Sequence, residues 1–312
     1  QTLVRLYDFE NKRGVFADVD GRFKFSILNF GGSDTKSDKT DFVFFAHQLP
    51  ELRDKRRHIE LSHADMKRLN PNTGTCPVFR NRRDAELTQA IYDRVPVLID
   101  RNRKFGGNPW GVKFIRMFDQ TNDAEKFITG DELKKKGCKL DGNRWVRGKK
   151  QYLPLYEAKM IQAYDHRAAS VETVGTNWMR QGQTIETRPV DHQNAEFMTT
   201  PRWWVAADNV REALGDDPPP ALLAFKDVTS PTNQRTMIAA FMPPVGVLNS
   251  APLIQFKDIP PLRQTCLLAN LNSLAYDFVA RQKVGNVHLN FFIVEQQPTF
   301  APDTYADPCP WD

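Results

Sequence analysis

Apolar and polar positions alternate most clearly near the N-terminus. In VFADVDGRFKFSILNF, Phe23, Phe25 and Ile27 alternate with Arg22, Lys24 and Ser26 beyond an Asp20-Gly21 turn, which predicts a hairpin at a sheet edge. The polar, Gly-rich GGSDTKSDKTD from Gly31 predicts an exposed loop or boundary, with the next strand starting near Phe42. RRDAELTQAIYDR carries Leu87, Ala90, Ile91 and Arg94 at helical spacing and predicts a short helix between loops. From Asn108 to Lys150 no period is sustained, so strand and loop are expected there. Three apolar runs, ALLAFKDV, TMIAAFM and APLIQF, are of strand length and predict one curved sheet. Leu262 to Lys283 places Leu267, Leu271, Leu274, Ala275 and Phe278 on one face of a single helix stopped by Gly285. The last run, VHLNFFIVEQQP, predicts a strand with Leu289, Phe291 and Ile293 on one face before Pro298.

A chain of 312 residues with 40% hydrophobic positions has the material for two cores, so two units are expected. No apolar run approaches a membrane span and no secretory signal pattern is present, which predicts a soluble, cytoplasmic protein. Cys76, Cys138, Cys266 and Cys309 stand singly, outside any Cys-x-x-Cys pair, so reduced structural thiols are expected and no metal site.

Charge adds more through its distribution than its sum. Lys and Arg number 43 against 38 Asp and Glu, a net of +5, but the cations cluster in RDKRRH, RNRRD, RNRK and the stretch from Lys134 to Lys150, where eight cations face Asp141 alone. Each cation near a phosphate releases a condensed counterion, so such runs suit a polyanion in a groove. Candidate contacts are Arg56, Arg57, Arg82, Arg83, Arg101, Arg103, Lys135 and Arg147; the plainer alternative is a solvated basic face.

YEAKMIQAYDHRAAS is the densest mixture of acids, bases and tyrosines. Asp141 with Glu157-Ala158-Lys159 imitates the carboxylate pair and lysine of metal-dependent nucleases, although Pro154 interrupts the strand pairing that chemistry needs. Asp165, His166 and Arg167 are consecutive, so their side chains do not converge on one atom.

Six strings, RLYDFENKRGVFADVDGRFKF, LNPNTGTCPVFRNRRDAELTQAIY, GNPWGVKFIRMFD, PLYEAKMIQAYDHR, DVTSPTNQRTMIAAFMP and LLANLNSLAYDFVARQKVGNVHLNFFIVEQQP, resemble, in order, the C-terminal part of the large adenine-N6 DNA methylases of restriction and phage-defence systems. In that family a Rossmann-like domain binds S-adenosylmethionine and an Asn/Asp-Pro-Pro-aromatic motif holds the flipped adenine. Neither is visible here: Asp217-Pro218-Pro219-Pro220 has proline where the ring belongs, and the Gly31-Gly32 and Gly106-Gly107 pairs lack a cofactor loop's context. The first residue is Gln1, so the expectation is a fragment whose methylase half lies upstream.

The resemblance implies an α+β chain: residues 1–30 as the hairpin tail of the methylase sheet, 31–150 as a basic connecting region, and 151–312 as a target-recognition domain with a mixed sheet and a Leu-rich helix. It implies double-stranded DNA and the upstream methylase half as partners, other defence subunits among the possibilities, and S-adenosylmethionine as cofactor of the joined enzyme but not of this chain alone. It makes Phe16 the candidate for stacking on an extruded adenine, the alternative being a core ring. Asn233, Gln234 and Arg235 of SPTNQRT are base readers by residue type, or else a turn and phosphate contacts. Arg180, Gln181, Gln183 and Arg188 are expected in a specificity loop, and Lys159, His166 and Arg167 at the phosphate backbone or bracing a loop beside it, pinned by Glu157 and Asp165. No catalytic residue is assigned. A third reading is an assembly module whose basic face meets an acidic subunit.

Overall fold

The computed structural model describes residues 2–34, 37–172, 182–215, 217–285 and 287–308 and is α+β. It divides into two compact units, residues 1–108 with 292–300, and 109–291 with 301–312.

The first unit is built on a mixed four-stranded sheet, in the order β2-β1-β3-β4. Strands β1 (Thr2–Glu10) and β2 (Lys24–Gly31) are antiparallel, β1 and β3 (Lys39–Ala46) parallel, and β3 and β4 (Ile59–Ser62) antiparallel. The alternating stretch forms β2, which lies at the sheet edge as its pattern predicts, but its hairpin partner is β1, because residues 15–20 are turn and not strand. A bulge breaks the β1–β3 register where Phe45 adopts φ +55°, a conformation that costs a non-glycine residue of order 1–3 kcal/mol. Phe9 of β1 and Val43 and Ala46 of β3 form a buried cluster against which Phe25 and Leu52 pack. Helix α1 (His63–Leu69) starts in a Ser62/Asp65 capping box; α2 (Arg82–Tyr92) starts at Asn81, whose side chain accepts the Asp84 N–H.

In the second unit, the strands in chain order are β5 (Val112–Ile115), β6 (Phe127–Ile128), β7 (Lys139–Asp141), β8 (Arg144–Arg147), β9 (Lys150–Tyr156), β10 (Ala169–Glu172), β11 (Gln183–Glu186), β12 (Trp203–Ala206), β13 (Leu222–Phe225), β14 (Ala239–Met242), β15 (Gly246–Val247) and β16 (Leu253–Phe256). They form a six-stranded sheet β6-β12-β9-β8-β7 with β15 joined to β9, a four-stranded sheet β14-β13-β16-β5, and the pair β10-β11. The helices are α3 (Gly130–Lys135), α4 (Pro189–His192), α5 (Ala207–Leu214), α6 (Pro261–Leu271) and α7 (Leu274–Lys283). A cluster including Tyr156, Met160, Ile161, Leu222, Ala240, Met242 and Leu253 forms the main core. Gly246 lets β15 reach β9, because a Cβ there would meet the Val205 side chain at 2.5 Å.

The three apolar runs do share one sheet, as β13, β14 and β16. Further expectations need correction, and the stretch from Asn108 to Lys150, expected as strand and loop, also holds the helix α3. Leu262 to Lys283 is two helices: α6 ends at Asn272, whose side chain accepts the Ala239 N–H and donates to the Ala239 C=O, and Ser273 caps α7 anew, which leaves Leu274 76% exposed. The final apolar run is one helical turn, α8 (Phe291–Glu295), because so few alternating positions do not separate a strand from a turn of helix. Beyond it, buried Gln296 accepts the Asn72 and Thr73 N–H groups, tying this segment into the first unit. Among the described residues, no helix is long and apolar enough to cross a membrane.

Candidate nucleic-acid interface

In the first unit, cations of RDKRRH and of RNRRD, well apart in sequence, meet in space. Lys55, Arg56, Asn81, Arg82, Arg83 and Glu86 line one cleft of about 530 Å³. Lys55 to Arg57 form a tight 3-10 turn capped by Asp54, which accepts the Arg56 N–H and binds its guanidinium at 2.9 and 3.0 Å. Those contacts hold the Asp54 carboxyl down at about 2. Arg82 and Arg83 occupy the first turn of α2, where the helix dipole is positive and cations are unfavourable without an anion. Their ion pairs with Glu86 are long, 3.6 and 3.9 Å, and the Arg83 side chain is 81% exposed. Among the described residues, the acids paired with these cations are Asp54, on Arg56, and Glu86, on Arg82 and Arg83, and Asp84 lies in the same first turn of α2.

The other candidates in this unit have different work. Arg57 is half-buried, pairs with Glu51 at 2.9 Å and donates to the carbonyls of Phe44 and Phe45, bracing the strained bulge. Arg101 pairs with buried Glu295, and Arg103 pairs with Asp100 at 3.3 Å. Phe16 is 51% exposed and meets Phe25 edge-on at 4.8 Å. Its loop is built around buried Asn11, which accepts the Phe16 N–H and donates to the carbonyls of Phe16 and Val19.

In the second unit, Lys134, Lys135, Lys136, Lys139, Arg144, Arg147, Lys149 and Lys150 are all exposed, around α3 and the β7–β8–β9 meander. Lys159 lies 3.6 Å from Glu157, whose carboxylate takes both arms of buried Arg202 at 3.0 and 3.2 Å. The Arg202 guanidinium also lies 3.5 Å from the centre of the Trp203 ring. Asp141 is exposed and pairs with Arg144 at 3.3 Å. Glu157 is therefore committed to an internal ion pair and is not presented to a solvent-borne metal. Among the described residues, no group of three His, Cys, Asp or Glu side chains is placed to hold a metal ion.

His166 is half-buried, and burial pushes its pKa down. Arg167 donates to the carbonyls of His192, Asn194 and Phe197 and so braces that loop. Arg235 is half-buried, donates to the Asn272 carbonyl and lies 3.6 Å from buried Asp277. Arg281 ties the same loop through Asp277 and the carbonyls of Pro231 and Gln234, leaving Asn233 exposed at its tip. Gln183 is exposed on β11, Arg188 pairs with Asp191 at 2.8 Å, and Arg180 and Gln181 lie outside the described residues.

Sequence reasoning missed one cluster. The Asp227 carboxylate is buried, which pushes its pKa up, and one oxygen has no hydrogen-bond partner among the described residues. His288 lies 3.5 Å away and Arg116 3.9 Å, with the Arg116 guanidinium over the Phe291 ring. The three residues belong to three of the six family-like strings, and that shared membership was the signal available.

No protein-family model matches the chain, and no curated protein matches it.

Proposed function

We propose that the chain binds duplex DNA and recognises the target sequence for a site-specific adenine-N6 DNA methylase of a restriction or phage-defence system, with S-adenosylmethionine bound by the catalytic half to which it is joined. The observation that carries the DNA contact is the cleft where the exposed cations Lys55, Arg56, Arg82 and Arg83 converge beside the N-terminus of α2. The resemblance of the six strings supplies the methylase context.

Fluorescence anisotropy with a labelled duplex of about 30 base pairs tests the reading. Saturable binding that heparin competes away is the expected result. Failure to bind at low salt, or capture of an acidic protein with no affinity for DNA, contradicts it and favours an assembly module.

A further inference from the structure

The β7–β8–β9 meander divides its side chains between two faces. Leu140, Trp145 and Tyr152 are cross-strand neighbours, and Trp145 and Tyr152 pack with Leu133, Cys138 and Trp204 under α3. The opposite face carries Lys139, Asp141, Arg144, Val146 and Gln151 by the two-residue period. Farther along this same face, Leu153, Leu155 and Val205 are covered by Val210 of α5. At the meander end, Lys139, Asp141, Arg144 and Gln151 are all exposed.

We infer that this uncovered face is the surface that reads base sequence, with Arg144 and Gln151 as the reading side chains. The inference rests on the DNA-binding reading above. Both strand connections are two-residue turns with glycine first, Gly142 at φ +56° and Gly148 at φ +58°, so the ends of the meander are fixed. In the major groove arginine makes paired hydrogen bonds to guanine and glutamine to adenine. Arg144 and Gln151 stand on neighbouring rows of the face, within reach of successive base pairs. Asp141 is a positioning residue: its 3.3 Å contact aims the Arg144 guanidinium while leaving donors free. Arg147, Lys149 and Lys150 surround the second turn and supply the phosphate contacts that fix the meander's register. Charge complementarity selects the occupant, since Lys139 and Arg144 on this face and Arg147, Lys149 and Lys150 around the second turn outnumber Asp141.

Selection from a randomised duplex pool, using the full chain, tests this. The unmodified chain enriches a motif. Arg144→Ala and Gln151→Ala each erase the preference at their own position, which falls by about tenfold to a hundredfold. Lys149→Ala weakens binding to all sequences and leaves the motif in place. Matching thermal unfolding shows that the variants remain folded. An unaltered motif in both Arg144→Ala and Gln151→Ala overturns the inference, as does DNA binding with no motif enriched. A chain that binds no DNA overturns the underlying reading instead.

Discussion

Replacing Glu157 by glutamine removes the carboxylate that neutralises Arg202 in the interior of the second unit. Both side chains are nearly inaccessible, 6% and 5% exposed, and joined by two hydrogen bonds of 3.0 and 3.2 Å. Removing one partner of a buried pair strands the other charge and costs about 3–5 kcal/mol. The glutamine oxygen keeps one acceptor for the guanidinium, so Glu157→Gln belongs near about 3 kcal/mol and Glu157→Ala near about 5 kcal/mol. At a urea slope of about 2 kcal/mol per molar, the first variant lowers the midpoint by about 1.5 M. Tryptophan fluorescence follows the transition through Trp203 and Trp204, which come directly after Arg202 in the chain. Adding Arg202→Met to Glu157→Gln restores part of the loss, because the stranded charge is gone. A midpoint shift below about 0.3 M for Glu157→Gln would refute the argument, since a buried, paired carboxylate does not leave so quietly.

Other outcomes follow from the same geometry. Arg82→Ala with Arg83→Ala weakens duplex binding at low salt without altering unfolding, checked by anisotropy and circular dichroism. Burial pushes the Glu10 carboxyl up, but hydrogen bonds from Lys12 and His47 and the nearby charges of Lys12 and Lys24 outweigh it and leave the group at about 2. Its folded pKa is thus depressed, so its stabilisation is complete above about pH 4.5 and is lost as pH falls towards 2; Glu10→Gln flattens that acid limb in urea titrations. Gly246→Ala drives a methyl group into Val205 and destabilises the second unit by about 1–3 kcal/mol, read from its urea midpoint.

The elements legible in the sequence were those whose pattern is local. The apolar runs of β13, β14 and β16 stand between turn residues, and α2 has its helical period. Asn272 was not legible as a helix break, because its role depends on Ala239, 33 residues away. The same limit governs the arginines. Arg57, Arg167 and Arg235 donate to backbone carbonyls, whereas Arg56 and Arg83 face solvent, and composition treats them alike. The cleft itself depends on tertiary packing that brings Lys55 and Arg56 to the start of α2.

The salt dependence of duplex binding tests the central claim most directly. A plot of log affinity against log salt concentration should fall steeply for the unmodified chain, with a slope shallower by about two when Arg82 and Arg83 are both replaced by alanine. A flat plot, or one that the double substitution leaves unchanged, would contradict the assignment of this cleft to the phosphate backbone.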